Sequence, residues 1–191
     1  LPIIRRFIYY TLVLCGHVLL GLSIRTRHQF NSSGARIMSD NNQCVIVGIA
    51  GASASGKTLF TRTVVEELCA EFSQDSLAVL EEDGYYRDQS HLPLKIREQT
   101  NYDHPRAFEH ELLIEHLQQL KAGNAVDVPT YDYDEHTRSS HVRHVQSANV
   151  ILVEGILLLA DPELCEEFDI KVFIDTPLDI CLLRRIERDV N

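Results

Sequence analysis

Two hydrophobic rhythms alternate along the chain. Cys44 to Ala50, CVIVGIA, is a short β-branched and apolar run with no polar alternation, which is how a strand buried on both faces of a sheet reads. A glycine-rich turn over 51–58 follows. Phe60, Val64, Leu68 and Phe72 then recur every four residues, marking an amphipathic helix that packs one stripe against that sheet. Leu77 to Leu80 reads as a second short strand. Residues 81–106 form a long polar connection rich in Asp, Tyr, His and Pro, and connections of that length tend to be functional.

Leu112, Leu113, Leu117 and Leu120 pattern a second helix that ends near Gly123. The Tyr131 to Val145 region, dense in aromatics, charge and His, reads as a hairpin excursion. Val150 to Val153 is another doubly buried strand, ending in Glu154-Gly155. Ile170 to Ile174 is a fourth, followed by Thr176-Pro177 and a helix from about Leu178. Such alternation of strand and helix predicts a parallel α/β sheet flanked by helices. Its crossovers are expected to be right-handed, with ligands gathered at the carboxyl ends of the strands.

The N-terminus departs from this pattern. Phe7 to Ile24 is mostly apolar, with Arg5 and Arg6 before it and Arg25, Arg27 and His28 after it, about the span of one membrane helix. The chain begins with Leu1, and Met38 opens a polar lead into the first strand. Residues 1–42 are therefore expected to be an N-terminal extension, of which 1–37 lie upstream of a native start at Met38, and 43–191 the folded domain. A membrane association depends on that apolar segment being part of the native protein. The 191 residues with 45% hydrophobic content suffice for one good core. A net charge of -10 disfavours nucleic acid as a partner, since a phosphate backbone is neutralised by an excess of Lys and Arg. The five cysteines are scattered without metal or disulfide spacing, which fits a reducing cytoplasm.

Gly51-Ala52-Ser53-Ala54-Ser55-Gly56-Lys57-Thr58 matches GxxxxGK[ST] in full, between a buried strand and an amphipathic helix. In that setting backbone N–H groups and the helix start cradle phosphates, Lys57 reaches the outer phosphates, and the Thr58 hydroxyl can bind magnesium. Asp83, just beyond the next strand, would lie at the same edge of the sheet. It is the candidate general base, although its neighbourhood also fits a solvated acidic turn. Glu154, at the end of VILVE, is the candidate partner of the magnesium, directly or through water, and the alternative for it is a buried structural carboxylate.

GIAGASASGKT, EEDGYYRDQSH, TNYDHPRAFEH, YDYDEHTR, VEGILLL and DTPLDICLLRRIERD together resemble the uridine/cytidine kinase family of P-loop nucleoside kinases, from about Gln43 to Asn191. The resemblance implies transfer of the terminal phosphoryl group of ATP or GTP, with magnesium, to the 5'-hydroxyl of uridine or cytidine. It implies Asp83 as base and Asp103 as ligand of the ribose hydroxyls. Tyr131, Tyr133 and His136 would hold the pyrimidine, with Arg185 near the sugar and Arg188 near the phosphates. A homo-oligomer, a tetramer, is implied as well. Spacing alone leaves open which of Arg184, Arg185 and Arg188 point inward. The chain stops at Asn191, where the family continues into a basic lid and further elements, so an incomplete sheet is expected. The competing readings are a kinase of the phosphoribulokinase or pantothenate kinase type and a non-catalytic nucleotide-binding module. No ligand spacing marks His91, His104, His110, His116, His141 or His144.

Overall fold

A computed structural model describes residues 44–71 and 76–190. The apolar N-terminal segment and Phe72 therefore lie outside the described residues. Strand β1 (Val45–Gly51) is buried at every position but its first, as its unbroken apolar spelling requires. Helix α1 (Lys57–Glu71) follows the glycine-rich turn, and β2 (Leu77–Glu81) comes next. The long polar connection carries short local structure: a 3-10 turn at Glu82–Tyr85, one helical turn α2 (Leu94–Arg97) and another 3-10 turn at Pro105–Ala107.

Helix α3 (His110–Lys121) begins ahead of its leucine pattern because His110 is itself buried. Strands β3 (Val126–Asp132) and β4 (Thr137–Val145) form an antiparallel pair. The hairpin starts earlier than the aromatic cluster suggests, since Val126 and Val128 alternate inward around Asp127 and join the core under α3. Strand β5 (Val150–Gly155) is buried throughout. A short helix α4 (Pro162–Glu167), not expected from periodicity, is capped by Asp161, which accepts from two backbone N–H groups of its first turn. Strand β6 (Ile170–Ile174) and helix α5 (Leu178–Val190) complete the order.

Four parallel strands lie in the order β2-β5-β1-β6. One face buries Ile46, Leu80, Ile151 and Val153 against α3 and the hairpin, and the other buries Val47, Ile49, Leu152 and Val172 against α1. The register sets Glu81 of β2 beside Glu154 of β5, and Ile49 of β1 on the other side of Glu154. All three strands thus end at one edge. Among the described residues no helix is long and apolar enough to cross a membrane.

Candidate active site

The loop between β1 and α1 occupies that edge. Its backbone turns through left-handed conformations at Ala54 (φ 62) and Gly56 (φ 98), the second of which suits a residue without a Cβ. The first turn of α1 carries no acidic residue, so the partial positive charge of its N-terminus is left for an anion. Lys57 opens this helix. Two further groups brace the loop: the Thr176 hydroxyl donates to the Ser55 carbonyl at 2.8 Å, and Arg184 Nη1 donates to the Ala54 and Ser55 carbonyls at 3.3 and 3.4 Å. Arg184 is thus a loop contact on α5 that spacing alone could not select.

Beside the loop, the Thr58 hydroxyl donates to Glu154 Oε1 at 3.1 Å. Glu154 is only 9% exposed, and its second oxygen, Oε2, is buried without a hydrogen-bond partner among the described residues. Burial, with the Glu81 charge, pushes its carboxyl above the usual range, against the pull of the Thr61 and Thr58 hydroxyls and the Lys57 charge. A buried carboxylate oxygen without a partner is costly, and a divalent cation would satisfy it. Hydroxyl and carboxylate are the oxygen donors that magnesium takes alongside phosphate, so the residues present fit that ion.

On the other side of the same edge, Asp83 sits in the Glu82–Tyr85 turn directly after β2. The hydroxyl of Tyr133, the residue after β3 in the hairpin turn, donates to Asp83 Oδ2 at 2.8 Å. Tyr133 packs edge-on to Tyr131 with centroids 5.2 Å apart, and Tyr131 lies 4.9 Å from Tyr86. Tyr86, Ala107 and Phe108, with Tyr102, Tyr131, Ile156 and Leu157 packed on them, form an apolar floor. His136, in the hairpin turn at φ 48, stacks on Tyr102 with centroids 5.7 Å apart, and its carbonyl accepts from the Tyr102 hydroxyl at 3.2 Å.

Asp103 is brought to helix α5, where Arg185 Nη1 stands 3.9 Å from its Oδ2. The positive charge of Arg188 acts on the Tyr133 phenol. Gly51, Ala52, Ser53, Ala54, Ser55, Gly56, Lys57, Thr58 and Glu154 therefore gather in one cluster, Asp83, Tyr133, Tyr131 and His136 are linked in a second through Tyr102, and Asp103 pairs with Arg185. Sequence reasoning missed Tyr86, Tyr102 and Phe108, which make the floor. It also missed Glu82, fully buried one residue before Asp83. The aromatic residues lie inside the quoted motifs and could have been weighed there, whereas Glu82 reads like any other acidic residue of its turn.

A phosphate-binding loop between a buried parallel strand and a helix, with carboxylates at the neighbouring strand ends, defines a P-loop phosphotransferase. The sequence profile of the Phosphoribulokinase / Uridine kinase family matches residues 46–191, and the chain belongs to that family. Two relatives are a uridine kinase from Vibrio atlanticus, 60% identical over 81% of this chain and 72% of its own length, and one from Shewanella amazonensis, 57% identical over 79% and 71%. The fold also superposes on the crystal structure of a candidate fructose transport system kinase from Silicibacter sp. TM1040, with a TM-score of 0.67 at 21% identity, over 81% of this chain and 76% of that one. At that identity the likeness concerns the fold alone.

Proposed function

We propose that the protein is a uridine/cytidine kinase that transfers the terminal phosphoryl group of ATP or GTP to the nucleoside 5'-hydroxyl, giving UMP or CMP for pyrimidine salvage. The observation that carries this reading is the pair Asp83–Tyr133, a carboxylate at the phosphate-binding edge held at 2.8 Å by a tyrosine of an aromatic pocket. Such a pocket suits a flat base, and the relatives named above are uridine kinases.

In this reading the loop N–H groups and Lys57 hold the donor phosphates, with Arg188 adding charge from α5. Asp103 accepts from the vicinal ribose hydroxyls beside Arg185, as a carboxylate with two acceptor oxygens can. Tyr131 and Tyr133 offer ring faces and edges to the pyrimidine, and His136 a hydrogen bond to its rim. Asp83 takes the proton of the 5'-hydroxyl as that oxygen attacks phosphorus, while the bond to the leaving nucleoside diphosphate breaks. Magnesium held by Thr58 and Glu154 supplies neutralising charge at the phosphates when bound. The same reading places a homo-oligomeric enzyme, a tetramer by family resemblance, in the cytoplasm, with small-molecule partners and no nucleic acid.

The test is magnesium-dependent phosphoryl transfer from ATP or GTP, with uridine, cytidine, ribulose 5-phosphate and pantothenate offered separately. UMP and CMP are the expected products. Transfer to ribulose 5-phosphate or pantothenate alone would reassign the acceptor within the kinases, and nucleotide binding without any transfer would leave a binding module.

A further inference from the structure

Behind the turn that carries Asp83, three ionisable side chains unused by the proposed reaction close on one another. Glu82 is 0% exposed, and both of its carboxylate oxygens are engaged. Its Oε1 lies 2.8 Å from His110 Nε2, and its Oε2 accepts the Leu157 backbone N–H at 2.9 Å. The second ring nitrogen of His110, Nδ1, lies 3.1 Å from Asp161 Oδ2. An imidazole with a carboxylate on each ring nitrogen donates to both only when doubly protonated. Doubly protonated, His110 donates to both and compensates the buried carboxylate of Glu82. Asp161 is anchored in turn, because its Oδ1 accepts from the Glu163 and Leu164 N–H groups at the start of α4.

This bridge joins the parts that have to keep their spacing. Glu82 immediately precedes Asp83, and Glu81 before it pairs in register with Glu154. Gly155, directly after Glu154, packs so closely on Glu82 that a Cβ there would collide with its carboxylate. The His110 ring also stacks on Phe108 with centroids 5.4 Å apart, and Phe108 stacks on Tyr86 at 4.2 Å. One histidine thus touches the turn of Asp83, the cap of α4 and the aromatic floor, and reaches the exit of β5 through Glu82.

We propose that His110 is a positioning residue for phosphoryl transfer: by bridging Glu82 and Asp161 it holds the Asp83 turn at a set distance from the Glu154 end of β5, without touching substrate. The proposal rests on the roles given to Asp83 and Glu154 above. The physical ground is that a reacting group displaced by about 1 Å can lose about a hundredfold in rate, while nucleotide binding at the loop is untouched.

Two amide substitutions of different reach separate the halves of the bridge. The His110→Gln amide reaches about as far as Nε2 and keeps the hydrogen bond to Glu82. The His110→Asn amide reaches only as far as Nδ1, keeps Asp161 and strands Glu82. The kcat for uridine phosphorylation is expected to fall between about tenfold and a hundredfold in His110→Asn, and no more than about threefold in His110→Gln, with KM for ATP unchanged in both. Independently of any substrate, the Leu157 amide should exchange with solvent at least about tenfold faster in His110→Asn than in His110→Gln, because its acceptor has lost its anchor.

Equal kcat losses in the two variants, or a loss confined to KM, overturn the positioning role, and equal exchange at Leu157 overturns the bridge itself. A parent protein with the expected exchange contrast but no transfer to uridine overturns instead the function proposed above. Should His110→Asn not fold, Glu82→Asp makes the comparison, since one methylene less breaks the reach to His110 with the charge kept. An unchanged kcat in that variant also overturns the proposal.

Discussion

Asp83 and Lys57 have different parts in the proposed reaction, and their substitutions should separate chemistry from binding. Asp83→Asn keeps the shape and an acceptor oxygen for the Tyr133 hydroxyl but no longer takes a proton. Turnover should fall by about a hundredfold to ten-thousandfold with nucleotide affinity nearly intact, measured by steady-state kinetics beside equilibrium titration. Lys57→Ala should do the reverse at the binding step, and an unchanged affinity for ATP would count against the loop as the phosphate site. At this scale much was legible: the loop, Asp83 and Glu154 stand out because strand ends and glycine turns leave a local spelling. Arg184 was not, because three arginines on one helix share their spacing rules, and only the packing of α5 on the loop decides which one reaches the Ala54 carbonyl.

Among elements, the hairpin β3–β4 and the Glu82–Tyr85 turn matter most, because Tyr133 of the one meets Asp83 of the other. Their contact is close at Gly84, where a Cβ would stand 2.5 Å from the Pro129 carbonyl oxygen. Gly84→Ala should therefore push the turn off the hairpin and cost about 1–3 kcal/mol of stability, the usual range for forced overpacking. Chemical denaturation reads that cost, and kcat should fall with it because Asp83 moves with the turn. The strands of the parallel sheet were readable from sequence since burial on both faces leaves continuous apolar runs. The hairpin's true start at Val126 and the short α4 were not. Val126-Asp127-Val128 is too short to declare itself, and α4 depends on a proline, a capping Asp161 and its neighbours rather than on periodicity.

For the molecule as a whole, the buried bridge gives stability a pH dependence of definite sign. Burial, the largest single influence on His110, pulls its pKa down, but hydrogen bonds and charge from Glu82 and Asp161 outweigh it, so the folded value lies above the usual 6.5. Its contribution is complete below 6.5 and is lost as pH rises through the raised value. Asp161 opposes this on the acid side. Burial raises its carboxyl, yet the Leu164 N–H, His110 and the Glu163 N–H together hold it below the usual 3.8, and its contribution is lost as pH falls through that depressed value. The thermal midpoint should therefore fall as pH rises above 6.5, with a shallower slope in His110→Gln. A slope identical in the two proteins would remove His110 from the balance. By itself the sequence determined the parallel α/β plan and the phosphate loop, because continuous apolar runs and a glycine-rich turn are local signals written in consecutive residues. Only the tertiary structure decided that Glu82, His110 and Asp161 meet and that Tyr102, Tyr86 and Phe108 make one floor. Burial of a charge and stacking of rings depend on partners far away in the chain, as His110 and Asp161 are, 51 residues apart.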